Sequence, residues 1–477
     1  MAVLAPVSAE VGAVVVDLEI AAAWAIDPVS RRSGPADIVV RDGVLEAITW
    51  LDRSEAEGVD DRGIIVAPGF VDLHVHLREP GGEAAETVAS GLAAAAHGGF
   101  TMVCAMPNTQ PPADDPGVVA TVLAAARRSG SPVRLLPVGC VSAGRSGETL
   151  APLGALADAG VVAFSDDGSP VASPSLLRNA LLYAAELGRV LVDHPEDQLL
   201  TVGAEANEGL VGTVLGLPGW PVSAEVAAVE RDLAVLADVV RDAPAARLHL
   251  THLSTAGALD AVRRAKGRGL PVTCDVTPHH VALSDEWLAG ARRWSWEAID
   301  DEGRARDPWA DAALVVEPYD TSLRVNPPLR SPLDAHACIE ALIDGTVDAI
   351  ATDHAPHSPV DKDVEFGAGA NGIAGLETAL GQLLAAVDAG RLPLARVIEA
   401  LTTGPGRVLG GRLGRSVGLV EGQPADLVVL DRSATWRVDP SCLASQSRNT
   451  PLLGRDLSGR VVLTVAGGRV AYADPAE

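Results

Sequence analysis

The sequence is poor in cysteine and in positively charged residues, and each shortage excludes some classes of protein. Its five cysteines are scattered, form no Cys-x-x-Cys pair and are odd in number. This pattern argues against a disulfide framework and against a zinc ribbon, and it fits a reducing compartment. The apolar stretch at 13–26 is interrupted by Asp17 and Glu19 and follows no basic segment, so we expect neither a signal peptide nor a spanning helix. We therefore predict a cytoplasmic protein.

Lysine and arginine together number 37 against 63 acidic residues, which gives a formal net charge of −26. Such a charge argues against nucleic acid and against an anionic membrane surface as partners. An anionic small molecule would need local positive charge from a placed arginine or from a metal ion. The hydrophobic fraction of 48% and the length of 477 residues fit a globular protein that has room for a barrel and an attached second domain.

The middle of the chain alternates short apolar runs with Ala- and Leu-rich helical stretches, the pattern of parallel βα units. Eight strand candidates lie there, at 70–76, 101–106, 134–141, 161–165, 190–193, 247–253, 271–276 and 349–352. They predict an α/β fold, a (β/α)8 barrel whose chemistry lies at the carboxyl ends of the strands. The β-rich ends of the chain predict a small β-sandwich domain formed by both termini. We place the domain limits at 1–66, 67–400 and 401–477.

Polar side chains follow several of these predicted strands. Asp72, His74 and His76 alternate along the first strand and would share one face, although a lone His-x-His pair is often two ordinary histidines. The other strand ends supply further metal-ligand types, namely Asp166, Asp167, His194, His252 and Asp353. The set could hold two divalent ions with a carboxylate between them, and it suits Zn²⁺. Coordination lowers the pKa of water to roughly 7, which would supply a nucleophile whose proton Asp353 could take.

One connection departs from the barrel pattern. Residues from about 285 to 320 lie between the seventh and eighth predicted strands and hold four of the eight tryptophans, Trp287, Trp294, Trp296 and Trp309. A surface helical insertion whose tryptophans pack on the barrel would explain them. A lid or a subunit contact is the alternative, since aromatic residues inserted near a site mouth often close or dock something.

Five motifs carry a family resemblance: Gly-Phe-Val-Asp-Leu-His-Val-His-Leu-Arg-Glu-Pro-Gly at 69–81, Ala-Met-Pro-Asn-Thr at 105–109, Phe-Ser-Asp-Asp-Gly at 164–168, Val-Asn-Pro-Pro-Leu-Arg at 325–330 and Ala-Thr-Asp-His-Ala-Pro-His at 351–357. Together they resemble the class I dihydroorotases of the amidohydrolase superfamily, over almost the whole chain. The resemblance implies a metal-bearing (β/α)8 barrel with a β domain from both termini. It also implies the reversible cyclisation of N-carbamoyl-L-aspartate to L-dihydroorotate in pyrimidine biosynthesis.

The resemblance assigns roles to individual residues. His74 and His76 would bind one zinc ion and His194 and His252 a second, so that each chain would hold two. Asp353 would be both a metal ligand and the general acid and base. The substrate would be held by His76, Arg78, Asn108, Asn326, His357, Asn371 and Gly372. Among these, an arginine offers planar, two-pronged recognition of a carboxylate.

The ligand between the two metals needs a separate argument. Many relatives use a carboxylated lysine at the end of the fourth strand. This chain has only Lys266, after the sixth predicted strand, and Lys362, beyond the eighth. Neither can be that bridge, so an aspartate must serve. The class I dihydroorotases that the chain resembles use an aspartate here, and their motif favours Asp167, with Asp166 as a supporting or alternate ligand.

The remaining polar residues at the strand ends are expected to have structural roles. Asp72 would orient a histidine. His279 and His280 would make structural hydrogen bonds, and His354 would point away from the site. Asn371 departs from the family pattern, because relatives often carry an aromatic or apolar residue there.

Two other functions compete with this interpretation. A hydantoinase or allantoinase shares the barrel and the metals, but it usually relies on the lysine bridge and would not need Arg78 with Asn108. A catalytically silent partner of aspartate carbamoyltransferase would typically have lost metal ligands, and every ligand is present here. The predicted partner is a small-molecule substrate. A homo-oligomer and a complex with an aspartate carbamoyltransferase are options that the sequence leaves open.

Overall fold

The computed structural model describes residues 15–474 except 53, 57, 415 and 416. Its strands are β1 Leu18–Asp27, β2 Arg32–Arg41, β3 Val44–Trp50, β4 Ile64–Pro68, β5 Phe70–Val75, β6 Phe100–Ala105, β7 Arg134–Gly139, β8 Ala163–Phe164, β9 Val190–Asp193, β10 Ala206–Asn207, β11 Gly219–Trp220, β12 Leu248–Leu250, β13 Val272–Val276, β14 Ala349–Ile350, β15 Leu427–Arg437, β16 Asp456–Ala466 and β17 Arg469–Ala473.

Its α-helices are α1 Val88–His97, α2 Pro116–Ser129, α3 Leu153–Asp158, α4 Pro174–Glu186, α5 Leu210–Leu215, α6 Val222–Asp242, α7 Ala256–Gly267, α8 Pro278–Ala282, α9 Pro332–Asp344, α10 Pro359–Lys362, α11 Ala379–Asp388, α12 Leu394–Leu401 and α13 Thr403–Leu409. Within the described residues, no helix combines the length and the apolar character that a membrane span requires.

Eight parallel strands form a barrel in the order β14-β13-β12-β9-β8-β7-β6-β5. The ring closes where Val75 pairs in parallel with His354 and the His76 N–H donates to the His354 carbonyl oxygen over 2.8 Å. Each of the eight strands falls within or beside a predicted one, and the (β/α)8 fold class is confirmed. The side chains of β5 and β6 are buried throughout, which explains why these strands appear in the sequence as nearly continuous apolar runs.

The apolar interior of the barrel directs the polar residues to the strand ends. Val71, Met102, Leu136 and Val190 belong to one buried cluster, which also includes Val408 of α13. A larger cluster joins the barrel to its surrounding helices. Because both sides of the strands are filled with apolar side chains, the histidines and aspartates that follow the strands gather at their carboxyl ends, where barrel enzymes place their chemistry.

Both ends of the chain form a separate seven-stranded sheet in the order β17-β16-β15-β4-β1-β2-β3. Neighbouring strands are antiparallel except for β1 and β4. A small β domain from both termini was predicted, and it is present, although its strands form one hydrogen-bonded sheet where a sandwich would have two. The β-rich N-terminal end includes an apolar segment at 13–18, whose residues 13 and 14 lie outside the described residues. The numerical domain limits stay a prediction.

Two glycine turns bring the distant ends of this sheet together. Val16 N–H donates to the Gly468 carbonyl oxygen over 3.0 Å, and Gly43 N–H donates to the Val16 carbonyl oxygen over 2.9 Å. Gly43 and Gly468 have φ angles of +72° and +78°, and a Cβ on Gly468 would lie 2.4 Å from the Gly43 carbonyl oxygen. Only glycine fits both the backbone and the space. The folded sheet thereby encloses one core, which Ile38 and Val465 share.

The insertion at residues 285–320 contains short 3₁₀ turns at Asp285–Ala289 and Ser295–Ala298 rather than long helices. Trp287, Trp294 and Trp296 are buried in the main core. The rings of Trp294 and Trp296 stack with centroids 5.6 Å apart, and the Arg455 guanidinium lies 3.8 Å from the centroid of Trp294. These contacts agree with the interpretation that the tryptophans of the insertion pack on the barrel, whereas a lid or a subunit contact stays a prediction.

Candidate binuclear metal site

Two histidines and an aspartate meet where the first and last barrel strands join. His74 belongs to β5, His76 follows it, and Asp353 follows β14. The Nε2 atoms of the two histidines lie 3.3 Å apart. Asp353 Oδ1 lies 3.1 Å from His76 Nε2 and 3.5 Å from His74 Nε2. Three buried donor atoms thus point at one small volume, as ligands of a single ion would.

A second pair of histidines lies across the barrel mouth. His194 follows β9 and His252 follows β12. His194 Nδ1 lies 2.9 Å from His252 Nε2. Both side chains are almost completely buried. This pair could hold a second ion.

The carboxylate of Asp167 lies between the two pairs. Its Oδ2 is 3.0 Å from His74 Nε2 and 3.4 Å from His76 Nε2. Its Oδ1 is 3.5 Å from His194 Nδ1 and 3.4 Å from His252 Nε2. One oxygen therefore faces each pair, which is the arrangement that a bridging ligand needs.

Asp166 is turned away from the histidines. Its Oδ1 accepts from the N–H groups of Val141, over 2.9 Å, and Ser142, over 3.1 Å, and its Oδ2 accepts from the Ser142 hydroxyl. Arg145 holds the same segment, because one of its guanidinium nitrogens donates to the Asp167 carbonyl oxygen over 2.6 Å. These contacts fix the backbone so that Asp167, and not Asp166, points into the site.

The charges of the site favour bound cations. Burial lowers the pKa values of His74 and His194, but Asp167, with Asp353 and Glu196, outweighs burial and raises them to about 9 and about 10. Burial likewise raises the pKa of Asp167, yet the surrounding histidines hold it well below its usual value. Without metal, protons balance these carboxylates, and a divalent ion would displace them. Buried imidazole and carboxylate donors of this kind fit Zn²⁺.

Outer hydrogen bonds keep a proton on the outer ring nitrogen of three of the four histidines. His74 Nδ1 donates to Thr251 Oγ1 over 2.9 Å, and His76 Nδ1 donates to Asn108 Oδ1 over 2.8 Å. His194 Nε2 donates to Glu196 Oε2 over 3.1 Å. In each neutral ring the remaining nitrogen then carries a lone pair towards the site, as metal ligation requires.

Sequence reasoning missed three of the residues that hold the site together. Thr251 is adjacent to the predicted ligand His252, and Glu196 lies two residues after His194. This proximity was the signal in the sequence that could have identified them. Arg145 lies in the connection after β7, where the sequence suggested no functional residue. Burial raises the pKa of Glu196, but His194 outweighs this effect and lowers it to about 2, so the carboxylate stays charged.

A cavity of about 160 Å³ opens beside the candidate metal site, and all the candidate ligands except His74 line it. Arg78 lies on its wall, where its Nε donates to the Pro356 carbonyl oxygen over 3.0 Å and one terminal nitrogen lies 3.3 Å from His357 Nε2. His357 Nε2 donates to the Asn371 carbonyl oxygen over 2.8 Å. All the predicted substrate-binding residues line this cavity: His76, Arg78, Asn108, Asn326, His357, Asn371 and Gly372.

Asn326 and Gly372 contribute differently to this cavity. The Asn326 amide N–H donates to Glu196 Oε2 over 3.1 Å, and its Oδ1 is buried without a hydrogen-bond partner among the described residues. The Gly372 N–H donates to the Arg324 carbonyl oxygen, and the Gly372 carbonyl oxygen accepts from the side-chain amide of Asn449. Its φ of +148° and a Cβ position 2.5 Å from Ala355 Cβ require glycine. Asn326 thus offers an acceptor, whereas Gly372 offers space.

Asp72, His280 and His354 make structural bonds, whereas the structural bond predicted for His279 is absent at its Nε2 among the described residues. Asp72 accepts from the backbone N–H of His74 and from Thr352, so it supports a histidine through the backbone and not through the ring. His354 Nε2 lies 3.3 Å from Glu86, on the far side from the site. His280 bonds to Thr277 and to the Pro327 carbonyl oxygen. His279 Nε2 is buried without a hydrogen-bond partner within the described chain, and burial lowers the pKa of His279 to about 4.

A (β/α)8 barrel that gathers four histidines and two aspartates at its strand ends defines a metal-dependent amidohydrolase. Residues 63–257 match a family model described as "Dihydro-orotase-like". The Dihydroorotase of Anaeromyxobacter dehalogenans (strain 2CP-1) is 49% identical over 451 residues, which cover 94% of this chain and 96% of that protein. The Dihydroorotase of Pelotomaculum thermopropionicum is 42% identical and covers 94% and 97%. The chain belongs to the dihydroorotase family.

Solved structures show the same fold. The L-hydantoinase (dihydropyrimidinase) of Arthrobacter aurescens aligns over 95% of each chain, with a TM-score of 0.74 and 25% sequence identity. The D-hydantoinase of Bacillus sp. AR9 aligns over 95% of each chain, with a TM-score of 0.72 and 20% identity, which supports the fold alone. Together with the family, the first of these neighbours indicates a cyclic amidohydrolase.

Proposed function

We propose that this chain is a dihydroorotase that interconverts N-carbamoyl-L-aspartate and L-dihydroorotate in pyrimidine biosynthesis. The main supporting observation is that Arg78 and His357 share one cavity with the histidine–aspartate site. Dihydroorotate presents a cyclic amide and a side carboxylate, and this cavity offers groups for both. Membership of the dihydroorotase family supports the same assignment.

The substrate would be held by its carboxylate and by its ring. Arg78 is anchored through Nε, and its terminal nitrogens can form parallel hydrogen bonds to a carboxylate. The Asn108 carbonyl oxygen is already bound to His76, so its amide group is left to donate. Asn326 Oδ1, which is buried and unpaired among the described residues, can accept from a ring N–H.

We propose Zn²⁺ as the metal, with two ions per chain held by His74, His76, Asp167, His194, His252 and Asp353. When bound, zinc polarises the amide carbonyl and supplies an activated water at neutral pH. Burial raises the pKa of Asp353, but His74 and His76 hold it below its usual value, so the carboxylate is ionised and can accept a proton. Asp353 then returns that proton to the ring nitrogen as the amide C–N bond breaks, and the same steps in reverse close the ring.

The assignment is tested by assaying the purified, metal-loaded protein in parallel with dihydroorotate, hydantoin and allantoin. We expect turnover of dihydroorotate to exceed that of the other two, because only dihydroorotate carries the carboxylate that Arg78 can bind. Metal analysis of the same sample serves as the control. Absence of dihydroorotate turnover in a sample with full metal content would refute the proposal.

We also propose a cytoplasmic location, in keeping with the scattered cysteines, and assembly into an oligomer. Light scattering of the protein alone, and again after mixing with an aspartate carbamoyltransferase, separates a homo-oligomer from a mixed complex. A monomeric mass in both samples would contradict the assembly prediction.

A further inference from the structure

A buried ammonium group joins two segments on the substrate side of the cavity. Lys362 is the last residue of α10 and is only 8% exposed. Its Nζ donates to the carbonyl oxygens of Thr321, over 2.9 Å, and Ala370, over 2.6 Å, and lies 3.4 Å from that of Arg324. These oxygens belong to two separate stretches of chain, which we call the 320–326 segment and the 358–372 loop.

Backbone and arginine contacts extend this junction. The Arg324 guanidinium donates to the Gly369 carbonyl oxygen over 2.7 Å and also contacts that of Gly367. Gly372 N–H donates to the Arg324 carbonyl oxygen over 2.8 Å, and Ala370 N–H donates to the Asp361 carbonyl oxygen over 3.0 Å. The 320–326 segment and the 358–372 loop are therefore held as one unit by groups around Lys362.

The two joined stretches carry residues that face the substrate cavity. Asn326 ends the 320–326 segment, and Asn371 and Gly372 end the 358–372 loop. His357 immediately precedes that loop and bonds to the Asn371 carbonyl oxygen. A shift between the two stretches would displace these contacts, whereas His74, His194 and the other candidate metal ligands are held by different bonds.

We propose that Lys362 is a positioning residue whose side-chain nitrogen holds the 320–326 segment against the 358–372 loop and so sets the substrate-binding wall of the cavity. Its role in catalysis rests on the proposed dihydroorotase function, whereas its role in holding the loop does not. It acts through Asn326, His357 and Asn371 and does not touch the substrate itself.

The charge on Lys362 is sensitive to pH near neutrality. Burial, the largest effect, lowers the pKa of Lys362 to about 7. The nearby Asp320 and Asp361 oppose that shift, and Arg324 and Arg78 reinforce it. As the pH rises through about 7, the ammonium loses a proton, one N–H donor and its charge. The neutral amine keeps two N–H donors, enough for the carbonyl oxygens of Thr321 and Ala370. Because the pKa is lower in the joined state than the ordinary value of 10.5, the joined state favours the neutral amine, and the junction gains stability as the pH rises above about 7.

Hydrogen–deuterium exchange of the wild-type protein tests the loop without any assay of activity. Exchange of peptides from 358–372 would be measured at pH 6 and pH 8.5 and divided by the intrinsic rate at each pH, with peptides from α2 as the reference. We expect protection of the loop to rise about tenfold or more at pH 8.5, a gain of at least about 1.4 kcal/mol, with little change in α2. Equal protection of the loop at both pH values would overturn the proposal.

Kinetics of Lys362→Met test the effect on the substrate, with Lys266→Met as the matched control. Lys266 is the other lysine of the chain and bonds instead to Asp348 and to the Thr346 carbonyl oxygen. At pH 8.5 we expect Lys362→Met to raise KM for dihydroorotate about tenfold, as loss of buried hydrogen bonds would, with kcat and metal content nearly unchanged. Its KM should no longer depend on pH between 6 and 8.5, whereas the wild-type and Lys266→Met values should fall as the pH rises.

The outcomes separate the two proposals. A Lys362→Met variant whose KM keeps the wild-type pH dependence would contradict the role of Lys362. If the variant does not fold, the pH dependence of the wild-type KM and of its exchange decides the question, and a flat result in both would exclude the role. If the wild type does not turn over dihydroorotate, the proposed function fails, and the exchange experiment still decides whether Lys362 holds the loop.

Discussion

The two oxygens of Asp167 face different histidine pairs, whereas both oxygens of Asp166 are bonded to the chain at Val141 and Ser142. This geometry predicts that Asp167→Ala loses metal and activity by more than the roughly 10–100-fold that removal of an outer partner costs. Asp166→Ala, the matched control, should retain metal and lose far less activity. Metal content and kcat/KM of both variants would be measured together, and the reverse ranking would contradict the bridging role of Asp167.

Glu196 acts on the second histidine pair through His194. Because its carboxylate accepts from His194 Nε2, Glu196→Gln would weaken the bond that keeps the proton on the outer nitrogen. We expect the affinity for Zn²⁺ to fall about 10–100-fold, measured by competition with a chelator. Glu208→Gln, at an exposed glutamate nearby, should leave the affinity unchanged. An unaltered affinity in Glu196→Gln would show that this bond does not support ligation.

The candidate ligands could be predicted from the sequence because each follows an apolar strand, and a barrel brings all strand ends together. The residues that orient them could not. Thr251, Glu196 and Arg145 act through particular atoms, and which atom of a side chain meets which ring depends on rotations that residue order does not specify. Asp72 illustrates the same limit, since alternation placed it with His74, but its carboxylate bonds to Thr352 and to the backbone.

At the scale of elements, the insertion begins with a buried acid. Burial raises the pKa of Asp285 to about 6, so the folded protein favours its neutral form, whereas the unfolded chain ionises near 3.8. The stability that this residue contributes is present below about pH 4 and is lost as the pH rises through about 6. Asp285→Asn, which is neutral at every pH, should therefore raise the free energy of unfolding at pH 8 by about 3 kcal/mol and change it little near pH 4.

Urea unfolding at the two pH values measures this effect, and Asp301→Asn, at an exposed position of the same insertion, is the control. A loss of stability in Asp285→Asn at pH 8 would mean that the charged form is the one that the fold needs.

Barrel strands were easier to predict than the elements around them. A strand buried on both sides is a continuous apolar run, so its place is visible in the sequence. The insertion folds into short turns because its tryptophans pack against distant residues such as Arg455, and no local periodicity records such contacts. The terminal strands were visible too, but whether they form one sheet or two depends on β4, which pairs with β1 on one side and with β15 on the other.

At the scale of the whole molecule, the contact between the Gly43 and Gly468 turns connects the two ends of the chain within one domain. Gly468→Ala would place a Cβ 2.4 Å from the Gly43 carbonyl oxygen, at a φ of +78°. Gly454→Ala has the same φ of +78°, but its nearest neighbour would be 3.8 Å away, at a flexible arginine. Left-handed strain of about 1–2 kcal/mol is common to both, so Gly468→Ala should unfold at a clearly lower temperature than Gly454→Ala. Equal melting temperatures would show that the turns can separate.

The proposed use of an aspartate as the bridge between two metal ions has a consequence for how the site is assembled. A carboxylated lysine is the adduct of an amine with carbon dioxide, so a site built on it needs dissolved bicarbonate to form and can lose its bridge when the adduct decomposes in acid. Asp167 belongs to the chain from synthesis onwards and already lies 3.0 Å from His74 Nε2. Metal-depleted protein should therefore recover its ions at the same rate in buffer purged of carbon dioxide as in buffer rich in bicarbonate.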